Sequence, residues 1–168
     1  LQRDEQLIAD AARLIGASSD ELLAGVQRKL DEAKALQDEI KALRAQVAMG
    51  RAGELAAIAH DGVLVTRVDG LNPGDLRELA IAVRQHPGMR LVVLIGETTS
   101  GGVGLVAAVE AGSGWNASAL IKDAAKAVGG GGGGKGDIAT AGGKEVSGIP
   151  TALELSAQAA AGLVADST

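Results

Sequence analysis

Six consecutive glycines, Gly129, Gly130, Gly131, Gly132, Gly133 and Gly134, stand inside a chain that otherwise has the apolar residues for a core. A stretch without side chains buries no apolar face, so the fold must be built from what lies on either side of it. Glycine allows positive φ and lets another molecule approach the backbone closely. Successive N–H groups freed in this way can form a concavity for an anion. A flexible linker is the competing reading of such low complexity. The setting argues for more than a linker: Lys122 and Lys126 lie four apart in a helix-forming segment just before the run, Lys135 follows it at once, and core-forming chain continues beyond.

Hydrophobic residues make up 46% of the 168, yet Trp115 is the single aromatic. The core must therefore come from Ala, Val, Leu and Ile, and recognition of nucleic acid by stacking bases on several rings is excluded. The length suits one or two small domains, and the pattern separates two. Residues 4–15 place Leu7, Ile8, Ala11, Leu14 and Ile15 on one helical face, which Gly16 ends. Ser18-Ser19-Asp20-Glu21 has the spacing of a capping box that restarts a helix. In that second helix Leu22, Val26, Ala33, Leu36, Ile40, Leu43 and Val47 follow a 3/4 spacing over roughly four heptads, interrupted at Lys29. Residues 20–48 are thus expected to form a long helix with a buried apolar seam, packed on residues 4–15 or on a second copy of the chain. Gly50-Arg51-Ala52-Gly53 reads as a break.

Beyond it the period changes. Val63–Val68 reads as a strand. Asn72-Pro73-Gly74-Asp75 opens a helix that His86-Pro87-Gly88 closes. Arg90–Gly96 is an apolar run suited to a buried strand, Thr98–Gly104 a Gly-rich turn, and Leu105–Val109 a strand returning as a hairpin. Asn116 or Ser118 caps a helix to Val128, and Pro150 opens an Ala-rich last helix. The expected fold is α+β: a helical, coiled-coil subdomain at 1–50, then a small globular α/β subdomain at 51–168 with a mixed sheet and a Gly-rich loop.

Net charge is −5, so no chain-wide basic signature for nucleic acid exists. The one basic island holds Lys122, Lys126, Lys135 and Lys144 against Asp123 and Asp137, and it surrounds the glycines. The chain has no cysteine, which removes disulfides and thiolate metal sites and suits the cytoplasm. No apolar run reaches the length of about 18 residues that a membrane span needs, and no charged-then-apolar signal segment opens the chain. Starting at Leu1 in mid-pattern, the chain is expected to be a piece of a longer protein.

Few residues suggest catalysis. Gly129–Lys135 matches the start of a phosphate-binding P-loop, but Gly136 replaces the Mg²⁺-binding Ser/Thr, and the motif follows a helix where a P-loop follows a strand. Asp137 reads as a turn former or ion-pair partner. His60 and His86 sit at loop ends with no cluster of ligands or triad partners nearby in sequence. Trp115 reads as a core or edge anchor.

Read together, Gly129–Gly143 (GGGGGGKGDIATAGG) resembles the glycine-rich signature of the C-terminal domain of alanyl-tRNA synthetases, a fold shared with the DHH-associated domain of some phosphoesterases. Lys135, Asp137, Ile138, Ala139, Ala141, Gly142 and Gly143 fall on its positions. Gly131 stands where the family stretch has a basic residue, and Gly136 where it often has Pro. Ala11–Ala48 resembles the helical linker that precedes this domain in the synthetases. The resemblance implies a tRNA-binding, non-catalytic piece that contacts the outer corner (elbow) of the tRNA. The RNA surface it implies is Lys122, Lys126, Gly129–Gly134, Lys135, Asp137, Gly142, Gly143 and Lys144. It implies no cofactor here; ATP, Mg and Zn would belong to other domains of the parent ligase. Self-association through residues 20–48 is a further expectation, and no membrane partner is expected. Two rivals are the substrate-binding domain of a DHH-type phosphoesterase and a coiled-coil interaction module with inert glycines.

Overall fold

The computed structural model describes residues 1–166, which fold as two compact units, Leu1–Arg44 and a second beginning at Ala45. In the first, α1 (Gln2–Leu14) ends where Gly16 takes φ +70°; the Gly16 amide donates to Arg13 O and the Ala17 amide to Ala12 O, satisfying carbonyls of the last turn. The expected capping box does not form. Ser18 Oγ donates to the Glu21 carboxylate at 3.3 Å, and Ser19–Glu21 make a short 3₁₀ turn into α2 (Leu22–Ala57). A Cβ on Gly25 would lie 2.7 Å from Ala17 Cβ and 2.8 Å from Ile15 Cδ1, so glycine is what lets this turn close. The seam expected to be buried is exposed within the chain: Leu36 keeps 59% of its surface and Leu43 54%.

The break expected at Gly50–Gly53 is absent, and α2 runs on to Ala57. Each helical glycine is unfavourable by about 1 kcal/mol, but Ala48, Ala52, Leu55 and Ala56 join the core of the second unit and outweigh it.

That unit is a five-stranded sheet in the order β1 (Val63–Arg67), β2 (Leu91–Glu97), β3 (Val103–Val109), β5 (Ile138–Gly143), β4 (Gly131–Gly133), with helices on both faces. β1 (Val63–Arg67) runs parallel to β2 (Leu91–Glu97), connected by α3 (Pro73–Arg84). Asn72 caps α3 reciprocally: its Oδ1 accepts from the Asp75 amide and its Nδ2 donates to the Asp75 carboxylate, each at 2.8 Å. β2 and β3 (Val103–Val109) form the expected hairpin, with β3 starting two residues earlier than its sequence suggested. These two strands are buried on both faces, which explains their continuous apolar runs. Val92, Leu94 and Val106 face α3, while Leu91, Val93, Ile95, Leu105 and Ala107 face α4 (Ala117–Ala127) and α5 (Ile149–Ala165). Ser156, fully buried on α5, donates to Leu120 O of α4 at 2.9 Å and locks the two helices together. The mixed α/β unit behind a long N-terminal helix is the fold class expected from the sequence.

Candidate nucleic-acid interface

The glycine run is not a free loop. Gly129 takes φ +65° just past α4; its amide donates to Lys126 O and that of Gly130 to Ala125 O, closing the helix. Gly131–Gly133 then form β4, an edge strand paired antiparallel with β5 (Ile138–Gly143). Lys135 lies in the turn between them, where Gly136 has φ +79°. Gly130–Gly134 themselves do not use positive φ, so the conformational reason expected for the run applies only to its first residue.

Close packing explains three of the others. A Cβ on Gly130 would meet Gly142 O, one on Gly132 the Cα of Ala141 at 2.4 Å, and one on Gly134 the carbonyl of Ile138 at 2.4 Å. β4 thus lies with alternate Cα–H bonds pressed into the β5 backbone, an approach only glycine permits. Gly131 and Gly133 differ: a Cβ on either meets nothing within 4 Å. Neither backbone angle nor packing among the described residues demands glycine there.

The covering of the sheet is unequal. α4 packs on β3, β5 and β4, whereas α3 packs on β2 and β3. The α3 side of the β5–β4 ribbon therefore stays open, with Thr140 and all three residues of β4 exposed. A cleft of ≈ 380 Å³ occupies this step, lined by Arg77, Gly133, Gly134, Lys135, Asp137, Ile138 and Thr140. Of the expected surface it gathers Gly133, Gly134, Lys135 and Asp137. Lys122 and Lys126 are exposed on α4, on the other side of the sheet, and Lys126 pairs with Asp123 at 3.0 Å. Gly142 and Gly143 end β5, and a Cβ on Gly143 would meet Val128 O at 2.3 Å. Lys144 is exposed while its amide donates to Val128 O. Asp137 serves the fold through its carbonyl, which accepts from the Val109 amide at 2.8 Å. Arg77 was not foreseen: in sequence it is one of several charges on an amphipathic helix, 58 positions before Lys135.

The other polar and aromatic residues lie apart from the cleft lining. His60 bridges to Val63, and exposed His86 lies beside Gly53. Trp115 packs on the core with the Arg90 guanidinium 4.9 Å from its ring centroid. Asp69 accepts from the Glu97 amide and from Arg67, and these bonds hold its carboxyl below the usual 3.8. Among the described residues no three His, Cys, Asp or Glu side chains stand together to hold a metal ion, and no helix is long and apolar enough to cross a membrane.

Residues 60–162, the sheet and its helices with the glycine ribbon at the edge, match the DHHA1 domain family. The chain belongs to that family. This DHHA1 domain is similar to the alanine–tRNA ligase of Thiobacillus denitrificans, with 37% identity over 159 residues, and to that of Xanthomonas campestris, with 34% over 157; these alignments cover 91% and 90% of the chain but 18% of each relative. The chain thus spans about a fifth of the length of those relatives. In solved structures it is similar to the C-Ala domain of Aquifex aeolicus alanyl-tRNA synthetase, with 28% identity, a TM-score of 0.51, and coverage of 58% of this chain and 88% of that one. RecJ of Thermus thermophilus, at 20% identity and a TM-score of 0.52, covers 91% of this chain and 23% of its own and shares the fold. The synthetase resemblance read from the glycine signature is borne out by these relatives.

Proposed function

We propose that this DHHA1 domain is the RNA-holding C-terminal region of an alanine–tRNA ligase and that its glycine ribbon lies against the outer corner of the folded tRNA. Gly133 carries the reading. It is glycine at a site where the described residues have no need of one, near Lys135 and on an open sheet face, and a missing side chain there serves a molecule that comes close from outside. RNA is recognised largely through shape, backbone and exposed bases, which suits a flat polar backbone with few cations and one aromatic. In this reading the domain acts in the cytoplasm on behalf of active sites elsewhere in the ligase, and incubation with alanine, ATP and tRNA yields no aminoacyl-tRNA.

The test is a titration of several folded tRNAs against the wild type and Lys135→Ala at two salt concentrations. Binding should be modest, salt-sensitive and similar for all tRNAs, because backbone contacts carry no sequence information. Lys135→Ala should weaken all of them and lower the log–log salt slope by about 0.7–1. Binding indifferent to both salt and Lys135→Ala would overturn the reading. The apolar stripe from Leu23 to Val47, exposed along α2, supports self-association through residues 20–48; sedimentation of Leu36→Asp with Leu43→Asp should show a smaller species than the wild type.

A further inference from the structure

The reading above leans on Lys135 beside the glycine ribbon, with Lys122 and Lys126 across the sheet. The geometry points to a second anchor on the same side: we propose that Arg77 of α3 and Lys135 together seat one backbone phosphate of the bound RNA over Gly133 and Gly134. This deepens the RNA-binding reading and rests on it.

Three observations meet in the cleft. α3 stops short of β5 and β4, so the ribbon is open to a ligand on the α3 side. Leu76, Leu79, Ala80 and Val83 bury the inner face of α3, which fixes the helix while leaving Arg77 exposed at the cleft wall. The floor is glycine backbone and Thr140, which offer polar groups and no bulk. Arg77 also touches Glu78 at 3.4 Å, with both side chains well exposed. A guanidinium has five N–H donors, so that contact leaves a fork for a phosphate. Asp137 adds a negative charge to the wall. Of the charged side chains that line the cleft, Arg77 and Lys135 are positive and Asp137 is negative, while Glu78 stands beside Arg77 outside the lining. Arg77 thus adds a second cation to a cleft in which Asp137 offsets Lys135, and that favours a phosphate there.

The full chain is titrated with a folded tRNA at two salt concentrations as wild type, Arg77→Ala, Arg77→Lys, and Lys34→Ala on α2 as a charge control that is not part of the cleft lining. Thermal melts accompany each variant. Arg77→Ala should weaken binding about tenfold and lower the salt slope by about 0.7–1, with an unchanged melt. Arg77→Lys should keep the slope and still lose affinity, because an ammonium lacks the planar fork. Lys34→Ala should do neither. If the wild type binds and Lys135→Ala weakens it while Arg77→Ala does not, the proposal falls and the RNA-binding reading stands. If the wild type does not bind folded tRNA, both fall. A parallel titration with inorganic phosphate, followed through the Gly133 and Gly134 amide resonances, separates the sources. Saturation by free phosphate at concentrations where tRNA has no effect on those amides would assign the cleft to a small phosphate ligand and overturn the RNA proposal.

Discussion

Two hairpins share one sheet and teach opposite lessons. β2 and β3 are covered on both faces, every residue of β3 is buried, and their Val, Leu and Ile side chains are the core. β5 and β4 continue the same antiparallel ladder outward, but β4 is all glycine and fully exposed. Burial of side chains holds the first pair and reaches Ala139 of β5, whereas β4 is held by its backbone ladder to β5 and by the absence of side chains. Tolerance of side chains thus differs along the sheet: the centre resists change because it is packed, and the edge leaves room at Gly131 and Gly133.

The comparison can be broken by substitution. Leu94→Ala at the centre removes a fully buried side chain between β2 and α3 and should lower stability by about 2–5 kcal/mol, read as a shifted denaturant midpoint; a shift under about 1 kcal/mol would mean the central strands are not the core. Gly132→Val at the edge forces a Cβ into the β5 backbone and should lower stability by about 1–3 kcal/mol, visible as a depressed thermal melt. Its neighbour sharpens the contrast. Gly133→Val points into open space, so the melt should hold within about 0.5 kcal/mol while tRNA affinity drops severalfold, up to about tenfold (1.4 kcal/mol). Equal melts for the two glycine variants would show that β4 is only loosely attached, and unimpaired RNA binding by Gly133→Val would return the ribbon to a linker.

The smallest effect lies at the far side of the sheet. Asp69 ties the end of β1 to β2 through the Glu97 amide and to Arg67, and its carboxyl is held below 3.8. A lowered folded value means stability that is present above the unfolded pKa and lost as pH falls through the folded one. Asp69→Asn should remove that acid-side slope, and the wild type's excess stability at neutral pH should be no more than about 1 kcal/mol, since solvent screens an exposed carboxylate. Parallel pH dependence of the two proteins below pH 4 would show that the Glu97 bond does not hold the charge.

Several elements were legible in residue order because their causes are local. The Asn72 and Asn116 caps, the 3.6-residue period of α3 and α4, and the apolar runs of β2 and β3 each report a preference that a short segment has by itself. The glycine signature located the ribbon and Lys135 for the same reason. Gly50 and Gly53 misled, because the cost of a helical glycine is local while the burial of Ala52 and Leu55 that overrides it is not. The capping box at Ser18 misled likewise, since its serine turned to the Glu21 side chain instead of a backbone amide.

Sequence by itself determined where backbone must be bare, where helices begin, and that the core is aliphatic, because each follows from what a side chain is. Tertiary structure decided that bare backbone becomes an edge strand, that Gly132 is locked while Gly133 is open, and that Arg77 and Lys135 line one cleft. Those depend on which strand lies beside which and on α3 covering two strands and not four. The physical reason is range: propensity and periodicity act within a turn or two of chain, whereas strand pairing and the uncovered step of the sheet join residues that the chain keeps far apart.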